Sequence, residues 1–209
     1  MTVSDPQTLG PEPPLVLASG SPTRARLLRD AGLSFAAVRA PVDEAEVAAS
    51  LLAEGLGGRD LADALAEIKA VAVARRAPGS VVIGCDQVLV CDGQVVRKAG
   101  TAEQAAATLQ LLSGKTHHLY SAAVAVIGGN PAWRHVGHAR LTVRPLSDAF
   151  IARYLEIEGA SALGSVGCYR IEGPGVHLFS RIEGDTFTIQ GLPLLELLDW
   201  LRARGDVPS

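Results

Sequence analysis

One carboxylate, Asp86, stands inside Val81 to Val90, a run otherwise made of apolar and small residues with a single amide, Gln87. An ionised side chain in a strand that reads as core costs several kcal/mol unless a cation, a metal or a dense set of donors meets it. A turn or a strand end is the structural alternative, so Asp86 is the first residue to test for chemistry. A second carboxylate, Glu44, follows the Ala40-Pro41 turn beside Asp43, at a strand end where α/β sheets gather their active sites. Glu44 and Asp86 together form a candidate oxygen pair for a hard divalent cation, to be completed by substrate phosphates. The strand-to-helix turn Ser19-Gly20-Ser21-Pro22-Thr23-Arg24 gathers small residues, hydroxyls, free helix amides and a cation, the elements of a phosphate cradle. Lys69 interrupts the apolar stripe of Leu65, Ile68, Ala72 and Val73, and Lys98 closes a hairpin beside Arg97; either is a candidate phosphate contact or a solvated lysine.

Two other patterns are weaker. His135 and His138, three apart on a strand, point to opposite faces and do not share a zinc. Ser19 or Ser21 with His117 lacks the nucleophile-elbow sequence of a hydrolase triad.

The elements that must position these residues interleave strands and helices. Leu15 to Ala18 reads as a strand running into a helix, with Ser21 as N-cap and Pro22 at the first helical position. A second strand is expected over 34–39, helices over 45–54 and 61–76, and a hairpin from 81–90 to 94–96 turning at Asp92-Gly93. A helix over 101–112, antiparallel strands over 119–127 and 132–143, a helix from Ser147 to about Glu156 and a closing helix over 192–204 complete the reading. The pattern predicts an α/β fold with a mixed sheet and flanking helices, in a single domain over residues 15–204 between a loose tail at 1–14 and a short one at 205–209.

The chain of 209 residues, 48% hydrophobic and 20% charged with a formal net charge of −3, can bury a substantial core and carries no electrostatic footprint for holding nucleic acid stably. Its partner is expected to be a small molecule. Three cysteines in no metal-binding spacing suit a reducing cytoplasm. No apolar stretch approaches the roughly eighteen residues that span a bilayer, so no membrane partner is expected.

Laid side by side, these segments resemble the Maf family of nucleoside triphosphate pyrophosphatases. The matching stretches are Leu-Ala-Ser-Gly-Ser-Pro-Thr-Arg at 17–24, Val-Asp-Glu at 42–44, Lys-Ala at 69–70, Ile-Gly-Cys-Asp-Gln-Val at 83–88, Arg-Lys at 97–98, Leu-Ser-Gly-Lys-Thr-His at 112–117, and Glu-Gly-Asp-Thr-Phe-Thr-Ile-Gln-Gly-Leu-Pro-Leu at 183–194. The resemblance implies two lobes around a long cleft, a homodimer, and hydrolysis of a nucleoside triphosphate to the monophosphate and pyrophosphate with Mg2+ or Mn2+. It also implies roles: Asp86 as proton acceptor for the attacking water or as metal ligand, Glu44 on the metal, and Ser21, Arg24, Lys69 and Lys98 on phosphates. A non-enzymatic nucleotide- or nucleic-acid-binding regulator of septum formation is the competing reading. Against it, carboxylates that repel a phosphate ligand serve only a metal-dependent enzyme.

The chain departs from the commonest family pattern at three places. Thr23 replaces the first of two arginines, Gln87 replaces a threonine after the acidic residue, and Gly164 to Tyr169 lacks a lysine for which Arg170 is the candidate substitute. Gln87 and the segment from Gly167 to Gly173 look more like the branch acting on 7-methyl-GTP. Thr23, Gln87 and Glu172 are therefore expected to set which base is accepted.

Overall fold

The structure, a computed structural model, describes residues 15–207. Strand β1 (Leu15–Ala18) leads into helix α1 (Pro22–Asp30), then β2 (Ala36–Ala37), α2 (Glu44–Ala53) and α3 (Gly58–Ala74). The hairpin β3 (Val81–Cys91) and β4 (Gln94–Val96) is followed by α4 (Ala102–Leu112), β5 (Thr116–Ile127), β6 (Asn130–Val143) and α5 (Asp148–Glu158). Two 3-10 turns precede β7 (Phe179–Glu183), α6 (Thr186–Ile189) and α7 (Leu194–Arg204). All seven strands lie in one mixed sheet, ordered β2-β1-β3-β5-β6-β7 with β4 on the far end of β3. β1 runs parallel to β2 and β3, and the other pairs are antiparallel.

The long strands β3, β5 and β6 serve two lobes. In the first, Val16, Val82, Val124 and Val126 face α3, while Leu17, Ile83 and Ala125 on the opposite face meet Leu28 of α1 and Leu197 and Leu201 of α7. In the second, Leu89, Leu119 and Leu141 pack with Leu109 of α4 and Ile151 and Tyr154 of α5. Burial on both faces explains why β3 reads as a nearly continuous apolar run rather than an alternating one.

The hairpin turns where expected, with Asp92 at φ 50° and Gly93 at φ 75°, the paired left-handed conformation that a two-residue connection requires. The expected strand over 34–39 shrinks to Ala36–Ala37, paired with Val16 and Leu17. β7 and α6 were not foreseen: β7 is a largely exposed edge strand, and α6 spans only one turn. The expected tail at 1–14 lies outside the described residues. At the other end Gly205 caps α7 at φ 82° and Val207 packs against the core around Leu197.

Candidate active site

The site begins at a gap in the sheet. β1 pairs with β3 only as far as Ala18 opposite Gly84, and β4 takes up pairing at Leu89. Residues 85 to 88 therefore present an edge of β3 with neither neighbour, between the carboxyl end of β1 and the hairpin. A cleft of about 1290 Å³ opens there, and Asp86, Gln87 and Val88 help to line it.

Alternation along β3 sends Asp86 and Gln87 to opposite faces. Asp86 lies on the α3 side with Gly84. A Cβ at Gly84 would stand 2.1 Å from the Ala66 carbonyl oxygen and 2.8 Å from Ala70 Cβ, so only glycine lets the Ala62-Ala66-Ala70 stripe of α3 settle this close. That approach brings Lys69 Nζ to 2.5 Å from Asp86 Oδ1. The same ammonium lies 2.7 Å from Glu44 Oε2, at the first residue of α2, where the Asp43 carboxylate caps the helix through the amides of Ala45 and Glu46. The Asp86 side chain is 11% exposed and that of Glu44 55%, so one carboxylate is deeply placed and the other faces solvent. Burial raises the Asp86 carboxyl above the usual carboxylate range, against the opposing pull of Lys69 and Arg24.

Ser19 to Arg24 form the next wall, and α1 opens its N-terminus onto the cleft. Ser21 Oγ accepts the Arg24 amide at 3.4 Å, which leaves its hydroxyl proton free to donate. The Arg24 guanidinium is largely committed to the protein. Nε donates to the Gly191 carbonyl at 2.8 Å, and Nη1 donates to the Cys85 carbonyl at 3.0 Å and Ser19 Oγ at 3.3 Å. The Cys85 bond satisfies a carbonyl at the open edge of β3. Of the three nitrogens, Nη2 has no hydrogen bond among the described residues. Lys98 is exposed on the same cleft wall beyond β4.

The candidate base-reading residues also reach the cleft, but they arrive engaged. Gln87 Nε2 donates to Ser121 Oγ at 3.0 Å and to the carbonyls of Thr188 and Ile189 at 3.2 and 2.9 Å. Two carbonyl partners fix the amide orientation, so the side-chain oxygen is the atom left for a ligand. Glu172 accepts from Arg26 Nη2 at 3.2 Å, and the same nitrogen donates to Gln190 Oε1 at 2.7 Å. Thr23 lies on the α1 wall. Arg170 lines the cleft with its Nε donating at 3.0 Å to Glu158, whose side chain is 1% exposed; part of its charge therefore compensates a buried carboxylate. Sequence reading placed Ser19 in the phosphate turn but did not find Ser121, Thr188, Gly191 or the Arg26–Gln190 contact. Their roles depend on partners far along the chain, and the signal nearest to hand was the glycine of Gln190-Gly191, which adopts φ 99°.

The histidine patterns resolve as structure. His117 is fully buried, with Nε2 2.6 Å from Tyr169 Oη, and burial lowers its imidazole to about 4. His138 stacks on His118 and Tyr120, while His135 lies 3.7 Å from Glu196.

For a metal, the decisive observation is that Glu44 and Asp86 converge on one point already occupied by a cation, the Lys69 ammonium. Two carboxylates completed by phosphate oxygens and water match the donor set of Mg2+ or Mn2+. Among the described residues no group of three or more His, Cys, Asp or Glu could hold a metal.

A family model described as Maf-like protein matches residues 14–204. A nucleoside triphosphate pyrophosphatase of Sphingopyxis alaskensis is 53% identical over 93% of this chain and 99% of its own. One of Caulobacter vibrioides is 52% identical over 92% and 96%. A 7-methyl-GTP pyrophosphatase of Mesorhizobium japonicum is 51% identical over 92% and 97%.

Proposed function

The chain belongs to the Maf family, and from that premise we propose that it is a nucleoside triphosphate pyrophosphatase, cleaving its substrate to the monophosphate and pyrophosphate. The observation that carries this reading is Asp86: a buried carboxylate on an unpaired strand edge, at the floor of a cleft walled by a helix N-terminus and cations. A triphosphate resists hydrolysis in water because its charge repels the nucleophile. Glu44 and Asp86 would hold the Mg2+ or Mn2+ ion, which when bound neutralises phosphate charge. Ser21 donates its hydroxyl proton to a phosphate oxygen, and the amides at the start of α1 add their partial positive charge. Lys98, Arg24 Nη2 and the Lys69 ammonium balance charge on the transferred group. Asp86 orients the attacking water and accepts its proton at a carboxylate oxygen.

For the base, the two acceptors on the cleft wall, Gln87 Oε1 and the Glu172 carboxylate, favour a ring edge that donates. Guanine presents two such donor groups side by side, and a 7-methylated ring adds a positive charge that a nearby carboxylate attracts. The substrate is thus 7-methyl-GTP or a related guanine nucleotide. The resemblance carries a homodimer, and the free, buried cysteines Cys85, Cys91 and Cys168 favour a reducing cytoplasm. No helix of the described residues is long and apolar enough to cross a membrane.

Release of pyrophosphate from a panel of nucleoside triphosphates, with and without Mg2+, tests the proposal. Metal-dependent release from at least one nucleotide is expected. Tight nucleotide binding with no release would replace it with the non-enzymatic regulatory reading.

A further inference from the structure

Lys69 reaches the site from inside the protein, on a helix whose neighbouring residues Leu65, Ala66, Ala70 and Val73 are core, and its ammonium lies between Glu44 and Asp86. It occupies the meeting point of Glu44 and Asp86, the two carboxylates assigned above to the metal. We propose that Lys69 is the resident cation of the substrate-free site, holding the two carboxylates in place until a divalent cation takes over both oxygens and releases the ammonium toward the triphosphate. This rests on the metal-dependent reading above.

Three features lead to it. An oxygen that donates its lone pair to a divalent ion at metal-ligand distance cannot keep an ammonium on the same side, and the two cations would repel each other at close range. The partners differ in freedom: Asp86 is fixed in β3 and 11% exposed, whereas Glu44 is 55% exposed and can turn with the first residue of α2. Finally, a buried lysine left without its carboxylates needs another anion, and the triphosphate brings several. Metal and nucleotide are therefore coupled through Lys69. The metal alone must displace an internal competitor, while the metal with its nucleotide provides that competitor with a new partner.

The test uses the full chain without nucleotide and reads Mn2+ binding by electron paramagnetic resonance of the free ion. Lys69→Met keeps the apolar stem and removes the charge. It is expected to bind Mn2+ at least about tenfold more tightly than wild type, within the range of ordinary site-to-site coupling. Mn2+ should also raise its melting temperature more than it raises that of wild type. Adding Glu44→Gln to Lys69→Met should reverse the gain. Lys69→Arg, which retains a cation, should bind Mn2+ as weakly as wild type. If Lys69→Met does not fold without metal, Lys69→Gln, whose amide can still donate to a carboxylate, takes its place in the same measurement. Affinity equal to or weaker than wild type in the neutral variants overturns the inference, whatever nucleotide hydrolysis shows. Pyrophosphate release is assayed separately, so its absence alongside Lys69-dependent Mn2+ binding would overturn the pyrophosphatase reading and support this one.

Discussion

Arg24 and Gly191 are joined by a 2.8 Å hydrogen bond from the guanidinium Nε to the backbone carbonyl, across 167 positions of sequence. It ties the first strand-to-helix turn to the connection between α6 and α7, and so fixes two walls of the cleft relative to each other. Gly191 adopts a φ of 99°, which favours glycine, and a Cβ there would lie 3.3 Å from that same Nε, a tight contact.

Arg24→Ala is therefore expected to lose stability as well as catalytic efficiency. Three hydrogen bonds from a partly buried charged group disappear and the Cys85 carbonyl loses its donor, a loss of roughly 2–3 kcal/mol. For a chain of this size that lowers the melting temperature by about 5–10 °C. Arg24→Lys should recover little, because an ammonium cannot span the separate acceptors that the guanidinium fork reaches. Thermal melting alongside steady-state kinetics checks this, and an Arg24→Ala protein that melts like wild type would show that the clamp contributes nothing.

Asp86 and Lys98 should separate cleanly in the same pair of measurements. Asp86→Asn removes a proton acceptor and should lower pyrophosphate release at least about a hundredfold, and the amide leaves the Lys69 ammonium one fewer negative partner. Lys98→Ala removes an exposed cation and should lower catalytic efficiency by about tenfold or more, while the melting temperature stays within about a degree or two, as for other surface substitutions. Unchanged kinetics in Lys98→Ala would leave it a solvated lysine of the hairpin.

The parts of the fold that were legible in the sequence are those whose signals are local. β3 announced itself by its apolar run, α1 by Ser21 and Pro22, and the hairpin by Asp92-Gly93. Asp86 stood out because a charge in such a run is expensive. The rest depended on contacts between distant segments. Gln87 was legible as a departure from a family pattern, but its three acceptors are 34, 101 and 102 positions away. α6 is too short to show helical periodicity, and β7, mostly solvent-facing, lacks the apolar alternation that marks a strand. The partners of Lys69 could each be suspected, yet that one ammonium meets both carboxylates follows from Gly84 admitting α3 against the sheet.

His117 makes acid stability a readout of the second lobe. Its imidazole is neutral when folded, and burial depresses it from 6.5 to about 4. Between those values the unfolded chain binds a proton that the folded protein refuses, so stability falls as pH drops from about 6.5 toward 4 and is unaffected by this group above that window. The loss amounts to roughly 3 kcal/mol at the bottom of the range. His117→Phe removes the titrating ring and should flatten the dependence of melting temperature on pH from 7 to 4 relative to wild type. Parallel curves for the two proteins would mean that the proton enters without cost.

Gln87 has two consequences that can be read independently. Its amide nitrogen holds α6 to the sheet through the carbonyls of Thr188 and Ile189, and Ser121 Oγ adds a 2.7 Å bond to the same Thr188 carbonyl. Gln87→Glu would set a carboxylate against those oxygens, with an expected loss of roughly 2 kcal/mol or more and a displaced cleft wall carrying Ile189 and Gln190. Because the nitrogen is committed, the side-chain oxygen can only accept, and with Glu172 it should select a base that donates. Wild type is expected to show its highest catalytic efficiency on 7-methyl-GTP or GTP, with dTTP and UTP lower by at least about tenfold, the scale of one unpaired buried polar group. Glu172→Gln, which replaces one acceptor oxygen by a donor, should narrow that ratio and leave the melting temperature nearly unchanged. A clear preference of the wild type for the two pyrimidines would remove Gln87 and Glu172 from base selection and leave Asp86, Glu44 and the cation walls as they stand.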